Sequence, residues 1–124
     1  MLARHLSHGR HAEQFARHWL EARGLTHVIA NFRCRYGELD LVMRDRGCLV
    51  VIEVRYRRHK SHGSPLDTVS AAKRWRIALA TDQLLQRYST LGTLPLRFDV
   101  IGLTGPHRQP DVEWRKHAFS FDTD

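Results

Sequence analysis

The chain has 124 residues, with 20 Lys and Arg against 13 Asp and Glu and a formal net charge of +7. That length makes one domain with a core that needs no staples, and the charge favours a polyanionic partner, nucleic acid ahead of an anionic membrane surface. No apolar run reaches membrane-spanning length and no continuous apolar h-region opens the chain, while Cys34 and Cys48 lack CxxC spacing and read as reduced thiols of a cytoplasmic protein.

Hydrophobic spacing predicts a first helix from about His8 to Arg23, with Ala12, Phe15, Ala16, Trp19 and Leu20 on its apolar stripe and Gly24 as the stop. Thr26 to Arg35 reads as a strand, and the next two strands flank Asp45-Arg46-Gly47-Cys48, a tight turn with Gly expected to supply the positive φ. Ser64-Pro65-Leu66-Asp67 reads as a helix start, with Ser at N-cap and Pro at N1, and that helix is expected to run to about Tyr88. Leu96 to Leu103 forms a fourth strand and Val112 to His117 a weaker fifth. The order α-β-β-β-α-β-β gives an α/β fold, a mixed sheet flanked by helices.

The most informative stretch is Gly37-Glu38-Leu39-Asp40-Leu41 with Val51-Ile52-Glu53-Val54-Arg55, where acids stand in strand-like segments. If Arg46 and Gly47 form a two-residue loop, Asp45 pairs with Cys48 and the same register sets Asp40 opposite Glu53. Opposed residues hold their Cβ atoms about 4.5–5.5 Å apart, where like charges repel. A divalent cation between the carboxylates would reverse that repulsion. Alternation puts Glu38, Asp40 and Val42 on one face and Leu39, Leu41 and Met43 on the other, with Glu38 opposite Arg55 as a cross-strand ion pair. The same charges also fit a solvated sheet face.

Two helix residues add to this picture. Glu13 borders the stripe made by Ala16 and Leu20, where it either faces water, pairs with Arg17, or reaches the acidic strands. Lys73 falls in the middle of the stripe of Leu66, Val69, Ile77, Ala80 and Leu84, so its ammonium needs a charged partner, and the acidic sheet face supplies one. The loop after the acidic strand carries Arg57, Arg58 and Lys60, which suit phosphate contacts as well as plain solvation.

Glu13, Asn31-Phe32-Arg33, Gly37-Glu38-Leu39-Asp40-Leu41, Ile52-Glu53-Val54-Arg55-Tyr56-Arg57, Gly63, Lys73 and Arg97-Phe98-Asp99-Val100 together resemble the YraN-like family of small bacterial proteins. The likeness runs from about Gly9 to Phe119. It implies a single restriction-endonuclease-like domain over residues 1–124 with its core at about 9–119, a three-layer α-β-α sandwich around a mixed sheet. The wider superfamily is similar to archaeal Holliday-junction resolvases and PD-(D/E)xK nucleases. That resemblance makes Glu13, Asp40 and Glu53 ligands of Mg²⁺ or Mn²⁺, with Arg55 and Lys73 in catalytic positions. It implies phosphodiester hydrolysis on DNA, in preference to RNA and with branched or processed DNA included, and a homodimer as an assembly state. Arg55 stands where such nucleases carry the ExK lysine, and it stays protonated with a broader head group; Lys73 is placed to take that role. The alternative is a non-catalytic nucleic-acid-binding or adaptor module with a degenerate site, and a third reading is an interaction protein with a structural acidic cluster.

Overall fold

The sheet forms around a hairpin whose turn is the shortest that two antiparallel strands can share. In the computed structural model, which describes residues 2–59 and 63–121, helix α1 (Leu2–Glu21) is followed by β1 (Thr26–Cys34), β2 (Gly37–Asp45) and β3 (Cys48–Arg57). Asp45 pairs with Cys48 across the turn, as the two-residue loop requires. The left-handed residue is Arg46, at φ 61, and not Gly47 as the sequence suggested. Both mirror-image turns that match strand twist place a positive φ at the first central position.

After β3 the chain makes a 3₁₀ turn (Pro65–Thr68), helix α2 (Ala71–Arg87), a second 3₁₀ turn (Ser89–Thr93), and strands β4 (Leu96–Thr104) and β5 (Asp111–Phe119). The single helix expected from Ser64 is thus two elements. Ser64 Oγ accepts the Leu66 N–H at 3.1 Å and caps only the 3₁₀ turn. Val69 and Ser70 then turn extended, and Ser70 Oγ accepts the Lys73 N–H at 3.1 Å to start α2. A β-branched residue followed by a hydroxyl that favours caps is a poor helix interior.

The five strands lie in sequence order, with β3 and β4 parallel across α2 and every other neighbour antiparallel. One core cluster joins Ile77, Ala80 and Leu84 of α2 to Leu39, Val42, Val51 and Phe98. The other joins Ala12, Ala16 and Leu20 of α1 to Leu41, Met43, Val50 and Ile52. The helices therefore cover opposite faces, and the fold is the three-layer α/β arrangement the sequence implied. No helix among the described residues is long and apolar enough to cross a membrane.

Simple alternation fails in the middle of β2. Leu39 was expected beside Leu41 and Met43, yet it packs on the α2 face while they pack on the α1 face. Its partner strand does the same, with Ala30 on the α1 side and Phe32 on the α2 side. Between them Asn31 takes φ 55. Both strands change face together, at the level of Asn31 and Asp40.

Gly102 sits under the first 3₁₀ turn. A Cβ there would meet Pro65 Cγ at 2.6 Å, so only glycine lets the turn settle on β4. At the opposite end of β4, Asp99 is fully buried and fully bonded. Its two oxygens accept from Arg97 Nε and Nη2 at 2.9 and 3.0 Å, Trp114 Nε1 at 2.9 Å and the His117 N–H at 3.0 Å. Arg97 also donates to Asp45 at 2.9 Å, which ties the hairpin turn to β4, and its bonds to Asp99 first and Asp45 second hold the guanidinium above its ordinary pKa. Removing the acid leaves these donors buried, so Asp99→Ala is expected to cost about 3–5 kcal/mol in denaturant unfolding. Asp99→Asn, which keeps one acceptor oxygen, is expected to cost less.

Candidate functional site

The ladder between β2 and β3 ends at Leu41 and Ile52. Beyond it, the Val54 N–H donates to Asp40 Oδ2 at 2.9 Å instead of to a backbone carbonyl. The carboxylate thereby satisfies the donor that the parting strands leave behind. The strands fork, and the fork opens a cleft reached by α1 from one face and α2 from the other. Glu13, Asp40, Glu53, Arg55, Tyr56 and Lys73 line one cavity of about 310 Å³ there. An adjoining cavity of about 590 Å³ shares Glu13, Asp40 and Lys73 and adds Asn31, Arg33 and Glu38.

Asp40 lies at the centre. Glu53 and Glu13 both lie beside it, close enough that its charge raises the pKa of each. Burial first, then the Asp40 charge and its hydrogen bond, lift Glu53 from 4.5 to about 8. Burial likewise lifts Glu13 to about 7 against the pull of the Asn31 amide, and Asp40 is raised by burial despite the Val54 N–H. Lys73 Nζ lies 3.3 Å from Glu53 Oε1 and Arg55 Nη1 3.5 Å from the same oxygen, whose side chain is 4% exposed. Arg55 is oriented by its Nε, which donates to Thr68 Oγ1 at 2.8 Å.

The structure thus brings Glu13, Asp40, Glu53, Arg55 and Lys73 into one cleft. Glu38 is not the ion-pair partner of Arg55, because the fork separates them. It bonds Arg33 at 3.1 Å and Asn31 at 2.7 Å on the side of β1. Arg17 pairs with Glu21 at 3.6 Å and leaves Glu13 to the cleft. Arg58 is exposed and Arg57 donates to the Gly63 carbonyl at 2.9 Å, while Lys60 lies outside the described residues. Sequence reasoning missed the place of Glu38: Glu13, Glu38 and Asp40 each offer an oxygen, and these oxygens lie within 4.8 Å of one another. It also gave Asn31 no task, although an Asn inside an apolar strand is a signal for a left-handed residue.

Fold and cleft define a small α/β domain that gathers carboxylates, a lysine and an arginine at a strand fork. A family model described as "Uncharacterised protein family UPF0102" matches residues 12–103. A UPF0102 protein of Nitrosococcus oceani is 42% identical over 121 residues, 98% of each chain, and one of Pseudomonas putida is 42% identical over 112 residues, 90% of each. A UPF0102 protein of Aeromonas hydrophila is 44% identical over 91% of this chain and 85% of its own. The chain belongs to the UPF0102 family, the YraN-like group that its motifs resemble.

The crowded acids set a pH dependence. Glu13 and Glu53 keep protons in the folded protein where the unfolded chain has lost them, so stability falls as pH rises from about 4.5 to about 8. Glu53 dominates, being the more buried. In chelator, the melting temperature is expected to fall across that window, and Asp40→Asn, which removes the repelling charge and keeps an acceptor for Val54, is expected to flatten the slope. Calorimetry at a series of pH values measures both.

Proposed function

We propose that this protein is a metal-dependent nuclease acting on DNA, branched or processed DNA included, by phosphodiester hydrolysis. The observation that carries the reading is the convergence of Glu13, Asp40 and Glu53 with Lys73 and Arg55 in one cleft. The superfamily resemblance of the motifs supplies the same ligand set. Donor chemistry fits a hard cation: all donors are carboxylate oxygens, and burial and crowding raise the pKa of Glu13, Asp40 and Glu53. Asp40, Glu53 and Glu13 would hold Mg²⁺ or Mn²⁺, which when bound supplies Lewis-acid activation of water and neutralises phosphate charge.

The chain's own residues do the rest. Lys73 presents three donors from α2 and is placed to share its ammonium between Glu53 and an incoming phosphate oxygen. Arg55 remains charged at every working pH, so it contributes charge and orientation and moves no proton. Arg57 and Arg58, at the exit of β3, extend the positive rim along which a phosphate backbone would lie. A nucleic-acid-binding module without catalysis is the second reading. What favours it is Arg55 itself, fixed between Thr68 and Glu53 in the ExK lysine's place.

Labelled branched, single-stranded and duplex DNA, incubated with Mg²⁺ or Mn²⁺ against chelator, separates the two. Cleavage is expected only with metal, and Asp40→Asn is expected to abolish it while leaving binding unchanged or slightly tighter. Lys73→Ala is expected to lower turnover more than affinity, and Arg55→Lys to preserve or raise activity. Intact substrate with both wild type and Arg55→Lys, together with retained binding, would decide for the non-catalytic module.

Binding has its own signature. With about five phosphate contacts, affinity for duplex DNA is expected to fall roughly 500-fold between about 50 and 200 mM salt. Fluorescence anisotropy across a salt series measures the slope, and a flat response removes the nucleic-acid reading.

A further inference from the structure

Asn31 is the only left-handed residue inside β1 among the described residues, and its side chain points at two acids from two other elements. Its Nδ2 donates to Glu13 Oε1 at 2.6 Å and to Glu38 Oε1 at 2.7 Å. One amide nitrogen thus joins α1, β1 and β2 at the mouth of the cleft. Without it, Glu13 would lose the amide that sets its angle and Glu38 would be held by Arg33 alone. Arg33 takes the other Glu38 oxygen at 3.1 Å and fixes that side chain from the outside.

We propose that Asn31 is the positioning residue of the cleft and that Glu38, which it orients, joins Glu13 and Asp40 as an oxygen donor to the divalent cation. This rests on the metal-dependent reading above. The left-handed backbone serves the same end. With β1 in regular extended form, residue 31 would alternate strictly with its neighbours, whereas the observed turn of the chain coincides with the change of face at Ala30 and Phe32. Groups that orient ligands in this way typically contribute about 10- to 100-fold in metal affinity.

Asn31→Gly separates the two roles, because glycine accepts the positive φ and lacks the amide. Mn²⁺ affinity, read from the paramagnetic signal of free Mn²⁺ in a titration with no nucleic acid present, is expected to weaken about 10- to 100-fold in Asn31→Gly. Its melting temperature in chelator is expected to stay close to wild type. Glu38→Gln leaves the backbone untouched and is expected to weaken Mn²⁺ by a similar factor. The double variant is expected to be less than additive, since the amide acts partly through Glu38. Wild-type Mn²⁺ affinity in Asn31→Gly or in Glu38→Gln overturns this inference alone. Absence of Mn²⁺ binding by the wild-type protein overturns the metal-dependent reading and this inference together.

Discussion

One hydrogen bond governs the cleft: the Val54 N–H donates to the Asp40 carboxylate, not to the neighbouring strand. A backbone donor at that depth must find an acceptor, and a side-chain oxygen lets it do so while the strands part. The ladder ends at Leu41 and Ile52, and the space beyond is open to both sheet faces. Only because of that opening can α1 and α2, which cover opposite faces, send Glu13 and Lys73 to the same place. Asp40 therefore both caps the fork and carries a charge into the cleft. Asn reproduces the cap and not the charge, which makes it the informative replacement.

The surrounding scaffold is tied down by a second acid with the opposite character. Asp99 is as buried as any residue in the chain, but every oxygen lone pair it offers is met by a donor. Asp40, Glu13 and Glu53 instead face one another, and burial raises all three. Two buried acid systems in one small domain thus differ in whether their charge is answered. The answered one locks the hairpin to β5; the other, answered only at Glu53 by Lys73 and Arg55, is confined to the cleft.

Much of this was legible in the residues. The two-residue turn fixes the register by counting from Asp45 and Cys48 as far as Leu41 and Ile52, one pair short of the expected Asp40 and Glu53, where the strands fork. Lys73 in an apolar stripe demands an acid within reach of α2, and Glu53 is that acid. What could not be read is what depends on departures from regular geometry. Period-2 alternation assumes an unbroken strand, so it misplaced Leu39 and paired Glu38 with Arg55. The fork and the left-handed Asn31 are both local exceptions to that period, and both belong to the cleft. The divided second helix was missed for a related reason: Ser64 gives a good start signal, but a second cap at Ser70 overrides continuation.

The distribution of cations within the cleft shows where charge is left over. Lys73 and Arg55 both approach Glu53, and Arg33 holds Glu38. Arg55 has little freedom to swing elsewhere, because Thr68 grips its Nε and Thr68 is itself bonded to the Pro65 carbonyl at 2.6 Å. Pro65 in turn rests on Gly102, so the arginine's direction is set by packing against β4. Among the described residues, no cation lies within ion-pair distance of Glu13 or Asp40. The unanswered negative charge is therefore concentrated at the centre of the cleft, between the outer pairs and not at them. An added cation would meet no paired cation to displace at Asp40 or Glu13. Arg55 leaves that centre untouched, since its guanidinium is held at the rim between Thr68 and Glu53.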